Sequence, residues 1–146
     1  MDISIVINDI KLNIRVGVIL KYGDETLIEL SKVSSNSVIP GGRIKIGEKS
    51  IDAIKREIKE ELNFDINVNK LTFVKIIENF FKIDTNKYHE LFFVYKYNVS
   101  KDEYRILSNI KNNNDNANSC FEFINFNDLR SINLLPTEVI ELIKDA

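Results

Sequence analysis

Three glutamates fall close together in the run Arg56-Glu57-Ile58-Lys59-Glu60-Glu61, a short way after Pro40-Gly41-Gly42 and a lone Glu48. Carboxylates at this density can move protons, or they can hold a hard divalent cation whose other ligands are water and substrate phosphate oxygens. On a helix that turns about 100° per residue, Glu57 and Glu61 lie within roughly 40° of each other and Glu60 sits just beyond them. Like charges at this spacing repel, and partial burial raises the cost, so a cation should offset them. Gly41 and Gly42 would let a backbone carbonyl approach the same ion. Taken alone, the run also fits an ordinary solvated helix face.

The elements that must position these residues follow from periodicity. Ile51, Ile54, Ile58 and Leu62 recur at helical spacing, so a helix starts at Ser50, which can cap its first turn, and stops near Asn63, a residue that tolerates a left-handed end. Upstream, Ile3 to Ile7, Ile14 to Leu20 and Thr26 to Leu30 read as strands, with a tight turn at Tyr22 to Glu25. Downstream, Leu71 to Lys82 and Lys87 to Val99 form a long hairpin, Phe121 to Phe126 alternates as a strand, and Pro136 opens a last helix. The polar stretch Ser108 to Ser119 has little to bury and reads as a mobile surface loop.

A chain of 146 residues fits one domain, 1–146, with a core that needs no disulfide. Twenty basic against 22 acidic side chains leave a net charge of -2, which excludes a global field drawing the chain onto nucleic acid or an anionic membrane. The single cysteine, Cys120, reads as packing. With no basic and apolar leader after Met1 and no apolar run near the roughly 20 residues that span a bilayer, the expectation is a cytoplasmic protein with no membrane partner.

Gly42, Glu48, Arg56-Glu57-Ile58, Glu60-Glu61 and Asn63-Phe64, in this spacing over 23 residues, resemble the Nudix box of the Nudix (MutT-like) hydrolases. Chance agreement of this kind is on the order of one in 10⁶ from average residue usage. Asn63 stands where the family usually has Gly. The resemblance implies an α/β fold, a mixed β-sheet sandwiched between α-helices. It implies a metal-dependent pyrophosphohydrolase, acting on phosphoric anhydride bonds of a nucleoside diphosphate linked to another moiety. Position by position, Glu57, Glu60 and Glu61 resemble the metal-binding glutamates and the Gly41 carbonyl a backbone ligand. Glu48 and Arg56 resemble the pair that orients the helix. Mg²⁺ is the expected cofactor, with Mn²⁺ as a substitute.

The general base varies in this family. Glu57 is the candidate inside the box; Glu122, just before Phe123, and Glu90 are the acidic strand residues outside it. His89 adjoins Glu90, but neighbours on a strand point to opposite faces, so they do not both address one site. Phe80 and Phe81 lie in a region where relatives select substrate; they read as core or as a stacking surface, and Arg43 beside the glycines is a further substrate-binding candidate. A small nucleotide is favoured as substrate over long nucleic acid, since no Lys/Arg run is concentrated anywhere. The rivals are a catalytically silent nucleotide-binding module of the same fold and an enzyme that removes a 5′ pyrophosphate from RNA. The chain is expected to be a monomer or a homodimer, Met1 to Asn8 being the stretch that could pair with a second subunit.

Overall fold

The computed structural model describes all 146 residues, Met1 to Ala146. Its spine is β2 (Ile10–Tyr22), thirteen residues rich in Ile, Val and Leu, paired in parallel with β7 (Asn86–Asn98) from Ile10↔Lys87 to Lys21↔Asn98. β7 folds back on β6 (Thr72–Ile83) as the expected hairpin, and β1 (Ser4–Ile7) lies antiparallel on the start of β2. On the other side β3 (Glu25–Ser31) pairs with β9 (Asn116–Asn125), and with β8 (Asn112–Asn113) at its edge the sheet runs β6-β7-β2-β3-β9-β8.

β2 and β3 touch only at Lys21↔Thr26 and Tyr22↔Glu25, beside their turn, and then diverge. Two short strands enter the gap: β4 (Ser37–Val38) on β3, and β5 (Gly41–Arg43) on β2. A sheet split in this way leaves its opening at the glycines.

Helices cover both faces, so the α/β sandwich expected from the sequence is what forms. α1 (Ser50–Leu62) sends Ile54, Ile58 and Leu62 into one core with Val16, Val18, Leu20, Leu27 and Tyr97. α3 (Glu138–Asp145) sends Val139, Ile140 and Ile143 into a second core with Ile19, Ile28, Ile77 and Phe92. Consecutive residues such as Leu27 and Ile28 divide between the two cores because strand side chains alternate.

Two expectations need correction, and one helix was not expected. Lys49, not Ser50, is the N-cap of α1, and the Ser50 hydroxyl instead lies 2.7 Å from the Tyr95 hydroxyl. A helix absent from the sequence reading, α2 (Lys101–Ser108), follows a capping box in which Ser100 and Glu103 satisfy each other's backbone N–H. Most important, 108–119 is no loose loop. Asn112–Asn113 forms β8, paired with β9, and Asn113 and Ser119 are buried. Polar side chains can be buried when each finds a partner, and the partners here are carboxylates.

Candidate active site

The loop before α1 is built by steric exclusion. A Cβ on Gly41 would fall 2.0 Å from the Val16 carbonyl oxygen, and a Cβ on Gly42 would fall 2.3 Å from the carboxyl carbon of Glu57. Position 41 therefore requires glycine, since the backbone there cannot give way, whereas a side chain at 42 would displace the Glu57 carboxylate that fills the space. Gly47, at φ 79°, then turns the chain so that the Glu48 N–H meets the Lys45 carbonyl at 3.0 Å.

Arg56 ties that loop to the helix. Its Nε and Nη2 donate to the two oxygens of Glu48 at 2.7 and 2.9 Å, and Nη2 also donates to the Arg43 carbonyl at 3.0 Å. Nη1 donates to Glu57 at 2.8 Å and reaches Glu60 at 3.3 Å. The bond from Arg56 holds the Glu48 carboxyl down at about 2. Arg56 thus bridges Glu48 on the loop and Glu57 on the helix.

Glu57 and Glu61 are both buried, at 8% and 7% exposure, whereas Glu60 lies on the outer flank. Burial pushes the Glu57 carboxyl up against the pull of Arg56. Burial, with the charges of Glu29 and Glu57 close by, pushes Glu61 up to about 9. Glu29 comes from β3, where it shares the α1 side of the sheet with Leu27. Asn113 Nδ2 donates to Glu61 at 3.1 Å and to Glu29 at 3.0 Å, and the Ser119 hydroxyl donates to Glu29 at 2.6 Å. No cationic side chain pairs with Glu29 or Glu61.

These carboxylates open on a recess of about 450 Å³ in the gap between β2 and β3, lined by Arg15, Glu29, Gly41, Gly42, Arg43 and Glu61 among others. No group of three or more His, Cys, Asp or Glu side chains is gathered closely enough to hold a metal ion by itself. The donor set is nonetheless all oxygen and open on the recess side. Such a set fits a hard cation that keeps water and takes substrate phosphate oxygens as further ligands. Arg15 and Arg43 are among the residues that line the same recess, with their guanidinium groups 3.9 Å from Glu90 and from Asp2.

The other sequence candidates lie elsewhere. Glu122 is exposed and pairs in register with Ile28, which points into the α3 core, so its side chain leaves the sheet on the face away from Glu57 and Glu61. Glu90 is buried on that α3 face, while its neighbour His89 packs edge-on against Phe80, as alternation requires. Phe80 is 64% exposed, not core, and Phe81 stacks on Tyr88; neither lines the recess. Cys120, half-buried on β9, faces Leu30 across the strand pair. The sequence reading passed over Glu29, Asn113 and Ser119. Glu29 carried one signal, a charge amid the apolar Leu27-Ile28 and Leu30, whereas nothing sets Asn113 apart among its polar neighbours.

The chain belongs to the Nudix family: the NUDIX domain model matches residues 11–143. Among solved structures it is similar to the MutT NUDIX hydrolase from Burkholderia pseudomallei, at 16% identity and a TM-score of 0.67 over 88% of this chain and 95% of that one. It is similar also to the MutT protein from Bacillus halodurans, at 14% identity and a TM-score of 0.66 over 90% and 80% of the two chains. The Caenorhabditis elegans Ap4A hydrolase aligns at 19% identity and a TM-score of 0.58 over 91% and 94%. No curated protein matches the sequence. Identities this low establish a shared fold. No helix is long and apolar enough to cross a membrane.

Proposed function

We propose that the chain is a metal-dependent Nudix pyrophosphohydrolase that cleaves a phosphoanhydride bond in a small nucleotide derivative, a nucleoside diphosphate linked to another group. The observation that carries this reading is the meeting of Glu57, Glu61 and Glu29 at the Gly41-Gly42 recess, with no cation of the protein's own against Glu61 or Glu29. Buried carboxylates without a counter-charge are costly unless a ligand supplies one.

Glu57 and Glu61 would hold the divalent ion, Mg²⁺ or Mn²⁺, with the Gly41 carbonyl beside them and Glu60 on the outer flank. When bound, such an ion neutralises charge on the pyrophosphate oxygens and makes a water a better nucleophile. Arg15 and Arg43 would bind the phosphates, guanidinium groups being suited to bidentate contact with them. Glu29, whose Oε1 makes no hydrogen bond, is the carboxylate outside the box we assign to take the proton of the attacking water. It replaces Glu122 in that role, since Glu122 leaves the opposite face of the sheet. Arg56 and Glu48 keep Glu57 against Gly42 throughout.

The test is phosphate release with Mg²⁺ or Mn²⁺ over nucleoside triphosphates, ADP-ribose, dinucleoside polyphosphates and 5′-triphosphorylated RNA, with Glu61→Gln as the blank. Metal-dependent cleavage of a small nucleotide that is lost in the blank supports the reading. If no compound turns over while one still raises the melting temperature, the chain is a nucleotide-binding module instead.

A further inference from the structure

We infer that Asn113 is a positioning residue that holds Glu61 and Glu29, carboxylates from a helix and a distant strand, at a set separation for the cation, a role that rests on the reading of the recess as a metal site. The residue is 6% exposed, and one amide nitrogen donates to both Glu61 Oε2 and Glu29 Oε2. The orientation of the amide follows from its other end, because Asn113 Oδ1 accepts the Asp115 N–H at 2.7 Å. With the oxygen used in that turn, both N–H groups are left for the carboxylates.

The clamp has further attachments. The Asn114 N–H donates to the Glu61 carbonyl at 2.9 Å, which fastens the β8–β9 turn to the last turn of α1. The Ser119 hydroxyl gives Glu29 Oε2 its second donor. Two glutamates that would each sample several rotamers are thereby referred to one buried side chain. The donor is also neutral. A Lys or Arg in this place would compete with a cation, whereas an amide orders both carboxyl groups and adds no charge of its own.

The experiment is a Mn²⁺ titration of the full chain followed by the electron paramagnetic resonance signal of free Mn²⁺. Asn113→Ser keeps an oxygen that can accept the Asp115 N–H but cannot span both carboxylates. It should weaken Mn²⁺ binding about tenfold, in the range found when partners that orient metal ligands are removed. The melt should stay cooperative even where the lost bonds to the two carboxylates lower its midpoint, which a general structural defect would not allow. Asn113→Ala should shift Mn²⁺ affinity in the same direction and decides the matter if the serine variant does not fold. Affinity within twofold of wild type in the folded variant overturns the positioning role. Glu61→Gln is measured alongside. If it weakens Mn²⁺ binding and Asn113→Ser does not, only the role of Asn113 falls; if Glu61→Gln has no effect either, the recess is not the cation site and the reading beneath the inference falls with it.

Discussion

Gly42 and Glu57 share one volume: the Cβ that any other residue would place at 42 falls 2.3 Å from the carboxyl carbon of Glu57. The glutamate can lie against the loop only because the loop has no side chain there. Gly42→Ala should therefore displace Glu57, cutting turnover by about 100-fold, as expected of misplacement by about 1 Å, while overpacking costs only about 1–3 kcal/mol of stability. Steady-state kinetics beside a denaturant melt would check this. Wild-type turnover in the variant would show that the carboxylate has no need of that space.

Glu61→Gln removes a buried carboxyl that lies beside two others. Turnover should fall by orders of magnitude while the cation-free protein stays as stable as wild type or gains stability, because repulsion from Glu29 and Glu57 is relieved. Thermal melts and kinetics on one preparation separate the two effects. A strongly destabilised variant would mean that Glu61 holds the fold together.

The same residue sets a pH dependence. Its carboxyl is raised from 4.5 to about 9 in the folded state, so the folded chain binds the extra proton between those values. Stability from this group is full below the unfolded value and is lost as pH rises toward the folded one. The melting temperature of the cation-free protein should thus fall between about pH 5 and pH 9, and Glu61→Gln should flatten the fall. An equally steep decline in the variant would trace it to other groups.

Arg56→Lys keeps the charge but loses the fork that grips both oxygens of Glu48 while reaching Glu57. The loss should be about 1.5–3 kcal/mol. Because Glu48 is lowered to about 2 by this pairing, its stability is present above its ordinary value of 4.5 and lost as pH falls through about 2. Acid unfolding of Arg56→Lys should accordingly begin at a higher pH than in wild type, measured by circular dichroism. An unchanged acid limb would assign the low value of Glu48 to its bond from the Lys45 N–H.

Glu29→Gln should lower kcat by at least about 100-fold and flatten the acidic limb of the pH-rate profile, whereas Glu122→Gln should leave both at wild-type values. A profile that changes only in Glu122→Gln would return the base to β9 in spite of its face.

The features legible in the sequence are local. The helix and its left-handed end at Asn63 with φ 51° depend on near neighbours and are recorded by periodicity, whereas the Glu48–Arg56 pairing, eight residues apart, was implied by the resemblance to the Nudix box. The NUDIX match then extends that local pattern to a fold. What the tertiary structure decided is long-range: Glu29 and Asn113, 84 positions apart and joined at 3.0 Å, and the face from which Glu122 departs. Strand alternation shows that Glu122 and Phe123 oppose each other, but not which of them meets α1. That is fixed by the register of β9 on β3 and by which core takes Leu27 and which takes Ile28. The burial of Asn113 depends in the same way on carboxylates brought to it by other elements, so its polar neighbours in sequence suggested a solvated loop where the fold has built a clamp.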